Sequence, residues 1–163
     1  MLPVVSVVGN SGSGKTTFLK ELIPEMKARG YKIATIKHGS HDFEIDKPGE
    51  DSWQHREVGA QTVILSSPVK MAMVKELNQE IDLDTLIQDY INKDIDLVIT
   101  EGYKGGNKPK VEIFRSAKFD TPLFSEQDDD VLTIITNNEQ TDRVFSANQV
   151  KKVADLIEET VME

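Results

Sequence analysis

The sequence predicts an α/β domain with a largely parallel sheet flanked by helices and one added antiparallel hairpin. Three observations predict it. Apolar, β-branched runs such as Leu2–Val8 and Ile95–Thr100 read as strands buried on both faces. Segments between such runs place apolar residues at helical spacing, beginning with Phe18, Leu19, Leu22, Ile23 and Met26. A short apolar pair, Gln61–Ser66 and Val69–Lys75, is broken only by Ser67-Pro68, which is a hairpin pattern.

The elements follow in order. Strand Leu2–Val8 leads through a glycine-rich turn into the first helix, in which Pro24 is expected to cause a kink or an early end. Gly30 closes that helix and Tyr31–Lys37 forms the second strand. Residues 38–50 are polar, with Gly39, Pro48 and Gly49, and read as a long loop of the functional kind. Asp51 or Ser52 can cap a short helix to about residue 58, ahead of the hairpin. Asp82 starts a helix with Leu83, Leu86, Ile87, Tyr90 and Ile91 on one face. Strands Ile95–Thr100, Lys110–Phe114 and Val131–Thr136 follow. Residues 116–130 read as a mobile polar surface segment. Ser146 and Gln149 form a capping box for a last helix carrying Val150, Val153, Ala154, Ile157 and Val161. No repeat or linker divides the chain, so residues 1–163 are expected to form a single domain.

The turn between the first strand and helix reads Gly9-Asn10-Ser11-Gly12-Ser13-Gly14-Lys15-Thr16-Thr17. This is G-x-x-x-x-G-K-[ST], the Walker A phosphate loop, in its confirming strand–loop–helix order. The glycines let consecutive N–H groups converge on phosphate oxygens. Lys15 supplies charge to the β- and γ-phosphates, and the Thr16 hydroxyl is a ligand for Mg²⁺. The helix N-terminus adds its positive end. The expectation is a P-loop NTPase fold that binds nucleotide.

A carboxylate at the C-terminal end of a neighbouring strand is the second requirement, since ligands of α/β sheets bind at that edge. Glu101, after Ile95–Thr100, is the candidate metal-site and catalytic carboxylate; Asp96 lies at the wrong end. Lys104 follows in a Gly-rich turn and can touch phosphate or a second ligand. All three histidines, His38, His41 and His55, lie between Lys37 and Ala60. A transition-metal site from these imidazoles is one reading. The other makes Lys37, His38 and their neighbours a loop beside the γ-phosphate or a second substrate.

Composition narrows the class. The net charge of −9 argues against nucleic-acid and anionic-membrane binding. No apolar run approaches membrane-spanning length and no secretory pattern is visible. The absence of Cys excludes disulfides and thiolate metal sites, and a cytoplasmic location is expected.

The loop Gly9–Thr17 combines with Lys37-His38, His41-Asp42-Phe43, Asp46-Lys47-Pro48-Gly49, Asp51-Ser52, His55, Gly59-Ala60 and Glu101-Gly102-Tyr103-Lys104. In this combination the chain resembles the molybdopterin-guanine dinucleotide biosynthesis protein B (MobB) family over about residues 2–115. The resemblance implies a homodimeric, GTP-binding adaptor with slow GTPase activity. It implies a partner molybdopterin guanylyltransferase, which attaches GMP to molybdopterin in molybdenum cofactor biosynthesis. It also implies that Gly12 to Thr17 hold the phosphates and that Thr16 and Glu101 manage Mg²⁺. The block 37–56, with Lys37, His38 and Asp46, would face the γ-phosphate or molybdopterin.

No N-K-x-D guanine signature is present, so GTP preference rests on the resemblance. Asn137 or Asn138 can reach a base edge but supplies no carboxylate for guanine. The alternative is a small-molecule kinase using ATP or GTP. A kinase calls for an arginine-rich lid, and Arg29, Arg56, Arg115 and Arg143 show no cluster in the sequence. None stands in a recognisable finger position, and no Gln stands beside Glu101 to orient water.

Overall fold

The computed structural model describes residues 2–39, 43–136 and 145–162. The element order is β1 (Val4–Val8), α1 (Lys15–Ala28), β2 (Ile33–Lys37), α2 (Asp51–Glu57), β3 (Thr62–Ser66), β4 (Met71–Lys75), α3 (Leu83–Tyr90), β5 (Leu97–Glu101), β6 (Lys110–Phe114), β7 (Val131–Thr136) and α4 (Ala147–Val161). The chain divides into two compact units, Met1–Gly39 with Ile87–Glu163, and Ser40–Leu86.

The first unit holds a five-stranded sheet in the order β2-β5-β1-β6-β7. Every pairing in it is parallel. β1 lies at the centre with all five residues buried, as its unbroken apolar run requires. Phe18, Leu22 and Met26 of α1 and Val150, Val153 and Ile157 of α4 join the β1, β5 and β6 side chains in one core. The Phe18 and Phe145 rings meet edge to face at 5.1 Å. The capping box at Ser146 forms as expected, with both reciprocal hydrogen bonds. Strands in this order bring the ends of β2, β5, β1 and β6 to one edge, where the loops after them meet.

Some local expectations shift. Pro24 does not end α1, for the helix runs on to Ala28. The carbonyl that loses its partner belongs to Lys20, an exposed residue where solvent can replace the bond. The strand expected from Ile95 begins at Leu97 and reaches Glu101. Asp96 is withdrawn from it to accept the Lys32 N–H at 2.8 Å. Glu101 is therefore a strand residue, in register with Lys37 on one side and Val7 on the other.

Residues 116–130 are also tied down rather than loose. Glu112, 1% exposed, accepts the N–H groups of Leu123 at 2.7 Å and Phe124 at 3.0 Å. Lys110, equally buried, pairs with Asp130 and donates to the carbonyl of Gly106. The strand thus spends its two charged side chains on the segment that follows it.

In the second unit, β3 and β4 form the expected antiparallel pair, from Thr62 opposite Lys75 to Ser66 opposite Met71. α2 starts one residue after Glu50, which makes no side-chain cap; Asp51 and Ser52 are already helical. Asp82 caps α3 as expected, accepting from the Thr85 N–H at 2.9 Å and its hydroxyl at 2.7 Å.

Candidate functional site

The phosphate loop forms where β1 ends. Gly9 has a φ of 139°, and a Cβ there would lie 2.4 Å from the carbonyl oxygen of Ile113 on β6. Only glycine lets β1 leave the sheet so close to its neighbour. The loop closes at Gly14, the N-cap of α1, in the left-handed conformation and with no side-chain cap. No acidic residue lies in the first turn. The leading N–H groups of α1 are thus left for an anion.

Two side chains sharpen that cradle. The Ser13 hydroxyl is buried with no hydrogen-bond partner. A buried, unpaired polar atom beside open helix N–H groups is a site built for an acceptor. Lys15 donates to the carbonyls of Gly9 at 3.1 Å and Asn10 at 2.9 Å, spanning the loop from within. Burial holds its ammonium below the usual lysine range; Glu101 opposes that shift, and Lys104 and Lys37 add to it. Lys15, Lys37, Lys104 and Glu101 therefore act on one another across the site.

The Thr16 hydroxyl donates to the Glu101 carboxylate, 3.1 Å from each oxygen. Lys37 Nζ stands 3.8 Å from the same carboxylate. A hydroxyl and a carboxylate side by side at the mouth of a phosphate cradle are the hard-oxygen set that Mg²⁺ takes with phosphates and water. These residues fit that ion. They would hold it between the loop and β5, where it would neutralise charge on phosphate oxygens.

His38 continues from β2, its N–H bonded to the Glu101 carbonyl at 2.9 Å. Its ring stacks on Tyr103 at 4.4 Å and 29°. Tyr103 has a φ of 55°, an uncommon backbone for a large residue, which turns its ring onto His38. Beside them, Thr16, Leu19, Lys20, Ile23 and Pro24 of α1 face Thr35–Lys37, Ile99 and Glu101 across an open groove of about 400 Å³.

Thus the first unit brings together Gly9–Thr17, Lys37, His38, Glu101 and Lys104. Asp46 belongs to the second unit. There its side chain is largely covered, 4.0 Å from the Arg56 Nε, while Arg56 also bonds Glu44 and Glu76. His55 also lies in that unit, and His41, Asn137 and Asn138 lie outside the described residues. Among the described residues no three His, Cys, Asp or Glu side chains are placed to hold a metal. No helix among them is long and apolar enough to cross a membrane.

Two further cations stand beside the loop: Arg115, which the sequence places in no recognisable finger position, and Lys118, which no motif marks. Arg115 Nη1 donates to the Gly12 carbonyl at 3.3 Å. Lys118 Nζ lies 2.9 Å from where a Cβ on Gly12 would stand. The signal was available. Arg115 directly follows β6, which pairs with β1, so the strand-end rule that selects Glu101 selects Arg115 as well.

The sequence profile of the family described as "Molybdopterin guanine dinucleotide synthesis protein B" matches residues 4–137. The chain belongs to this family. A molybdopterin-guanine dinucleotide biosynthesis adapter protein of Haemophilus influenzae is 38% identical over 159 residues, 96% of this chain and 88% of that protein. The protein of the same name from Escherichia coli is 39% identical over 71% of this chain and 67% of its own. A crystal structure of molybdopterin-guanine biosynthesis protein B aligns with a TM-score of 0.67 at 27% identity, covering 98% of this chain and 99% of that one. Bacillus subtilis MobB aligns at 0.73 and 22% identity over 95% and 98% of the two chains, a likeness of fold. The fold of this family member is the P-loop NTPase fold.

Proposed function

We propose that this protein is a GTP-binding adaptor that assists a separate guanylyltransferase in joining GMP to molybdopterin, and that it hydrolyses GTP slowly. Family membership supports the role in molybdopterin guanine dinucleotide biosynthesis. The observation that carries nucleotide binding is the contact of Thr16 with Glu101 at the mouth of a loop whose helix N-terminus is uncapped. In this reading Gly9, Asn10, Ser11, Gly12, Ser13, Gly14, Lys15, Thr16 and Thr17 receive the phosphates, and Thr16 and Glu101 hold Mg²⁺. Lys37, His38 and Lys104 stand beside the terminal phosphate. Asp46 and its unit serve molybdopterin or the partner. Two copies associate through the hairpin of the second unit, whose Ile64, Leu65, Val69 and Met71 are exposed.

A thermal-shift comparison of GTP, ATP and GDP, each with and without Mg²⁺, tests the first step, since a ligand of the folded state raises apparent stability. GTP with Mg²⁺ is expected to stabilise most. Titration with the guanylyltransferase, with and without GTP, tests the adaptor role. Fast phosphoryl transfer to a small alcohol would overturn it in favour of a kinase.

A further inference from the structure

We propose that Arg115 and Lys118 form a second cationic arm of the phosphate loop, supplied by this same chain, that grips the terminal phosphate of a nucleoside triphosphate. The inference rests on the nucleotide-binding reading above and adds residues that the loop motif does not contain.

The two cations reach the loop from a different element. β6 pairs in parallel with β1, Val8 opposite Glu112, so Arg115 leaves the sheet beside the start of the loop. The Lys118 and Phe119 N–H groups return to the Arg115 carbonyl at 3.0 and 3.1 Å, a tight turn that keeps the two cations together. Beyond it, buried Glu112 ties down Leu123 and Phe124. Residues 115–124 are thus a strap fastened at both ends, with its basic turn held at Gly12.

The two cations meet the loop at a different place from Lys15. Lys15 spans the loop from the Gly9 and Asn10 carbonyls, whereas Arg115 and Lys118 meet it at Gly12. An anion in the cradle is then met by cations from two directions. A guanidinium has five donors in a planar fork, so one can bond the Gly12 carbonyl while others meet phosphate oxygens. The chain as a whole carries a net charge of −9. Placing Lys15, Arg115 and Lys118 around one loop therefore works against the field of the molecule, an arrangement suited to a polyanion.

The test is titration of fluorescent GTP and GDP analogues, with Mg²⁺, into the full-length protein and its Arg115→Ala, Arg115→Lys and Lys118→Ala variants. Arg115→Ala is expected to weaken GTP by about tenfold to a hundredfold, the usual worth of a hydrogen bond to a charged group. Lys118→Ala should weaken GTP by severalfold, with a shallower salt dependence. Both should weaken GDP less, and Arg115→Lys should recover part of the loss. That discrimination by the number of phosphates would not follow from a purely structural role. Lys118 is exposed, so its variant reports even if Arg115→Ala fails to fold. Variants that fold and bind GTP and GDP within twofold of the parent would overturn the inference alone. A parent protein that binds neither would overturn the phosphate-loop reading together with it.

Discussion

Lys15 sets the chemistry of the site because its charge is partly desolvated before any ligand arrives. Lys15→Ala is expected to abolish nucleotide binding while thermal unfolding stays near that of the parent, because the side chain is committed to the loop and not to the core. A folded Lys15→Ala protein with parental affinity would remove the loop from the site. The depressed pKa gives a signed pH dependence. Phosphates favour the charged ammonium, so binding raises the Lys15 pKa. As pH rises through the pKa of the free loop, toward the ordinary lysine value of 10.5, binding must take up a proton and affinity must fall. Calorimetry in buffers of different ionisation enthalpy should detect that uptake as the pH is raised into the alkaline range. Thr16→Ala and Glu101→Gln should lower Mg²⁺-dependent hydrolysis more than nucleotide affinity, because both act through the metal. Parental hydrolysis by Glu101→Gln would make Glu101 a bystander. Lys15, Thr16 and Glu101 were legible in the sequence because each sits at a fixed place relative to a strand end. Arg115 obeys the same rule, yet a lone Arg after a strand has no motif to announce it.

At the scale of elements, local signals survived best. The Ser146 capping box and the Asp82 cap need only four consecutive residues, so tertiary structure had nothing to overrule. The later start of β5, by two residues, needed a partner 64 positions away, the Lys32 N–H that claims Asp96. β6 was legible in its bounds, Lys110–Phe114, but not in its burial. Both charged residues of its Lys110-Val111-Glu112-Ile113 alternation are buried, bonded to Asp130 and to the Leu123 and Phe124 N–H groups. Removing the Glu112 carboxylate leaves two N–H groups without an acceptor, which should cost about 2 kcal/mol in chemical denaturation. Glu112→Ala should also speed proteolytic cleavage between residues 116 and 124, and Glu112→Gln, which keeps one acceptor, should lose less on both counts. Because this strap presents Arg115 and Lys118, Glu112→Ala should weaken GTP as well. Unchanged cleavage would mean that the strap is held by something other than Glu112.

For the whole molecule, the division into two units separates phosphate chemistry from what the second unit does. That unit holds most of the exposed large apolar side chains, among them Val58, Ile64, Val69 and Met71. In the hairpin register Ile64 faces Met73 and Ser66 faces Met71, so Ile64, Met71 and Met73 share one face. Val63, on the other face, is buried, and α2 packs on its strand. An apolar face and two open strand edges on a two-stranded ribbon invite another chain. A second copy supplies a matching ribbon, and an isologous pair closes at two because both copies spend the same patch on each other. Sedimentation at micromolar concentration should therefore give a mass near twice 18.3 kDa. The double variant Ile64→Glu, Met71→Glu should shift it to the single-chain mass, because a charge on each apolar position cannot be desolvated without a partner. GTP affinity should survive that change, since no phosphate-loop residue lies in the hairpin. A parent protein that sediments only as a single chain would leave this face for the guanylyltransferase. The same double variant should then lose the transferase in titration while keeping its nucleotide.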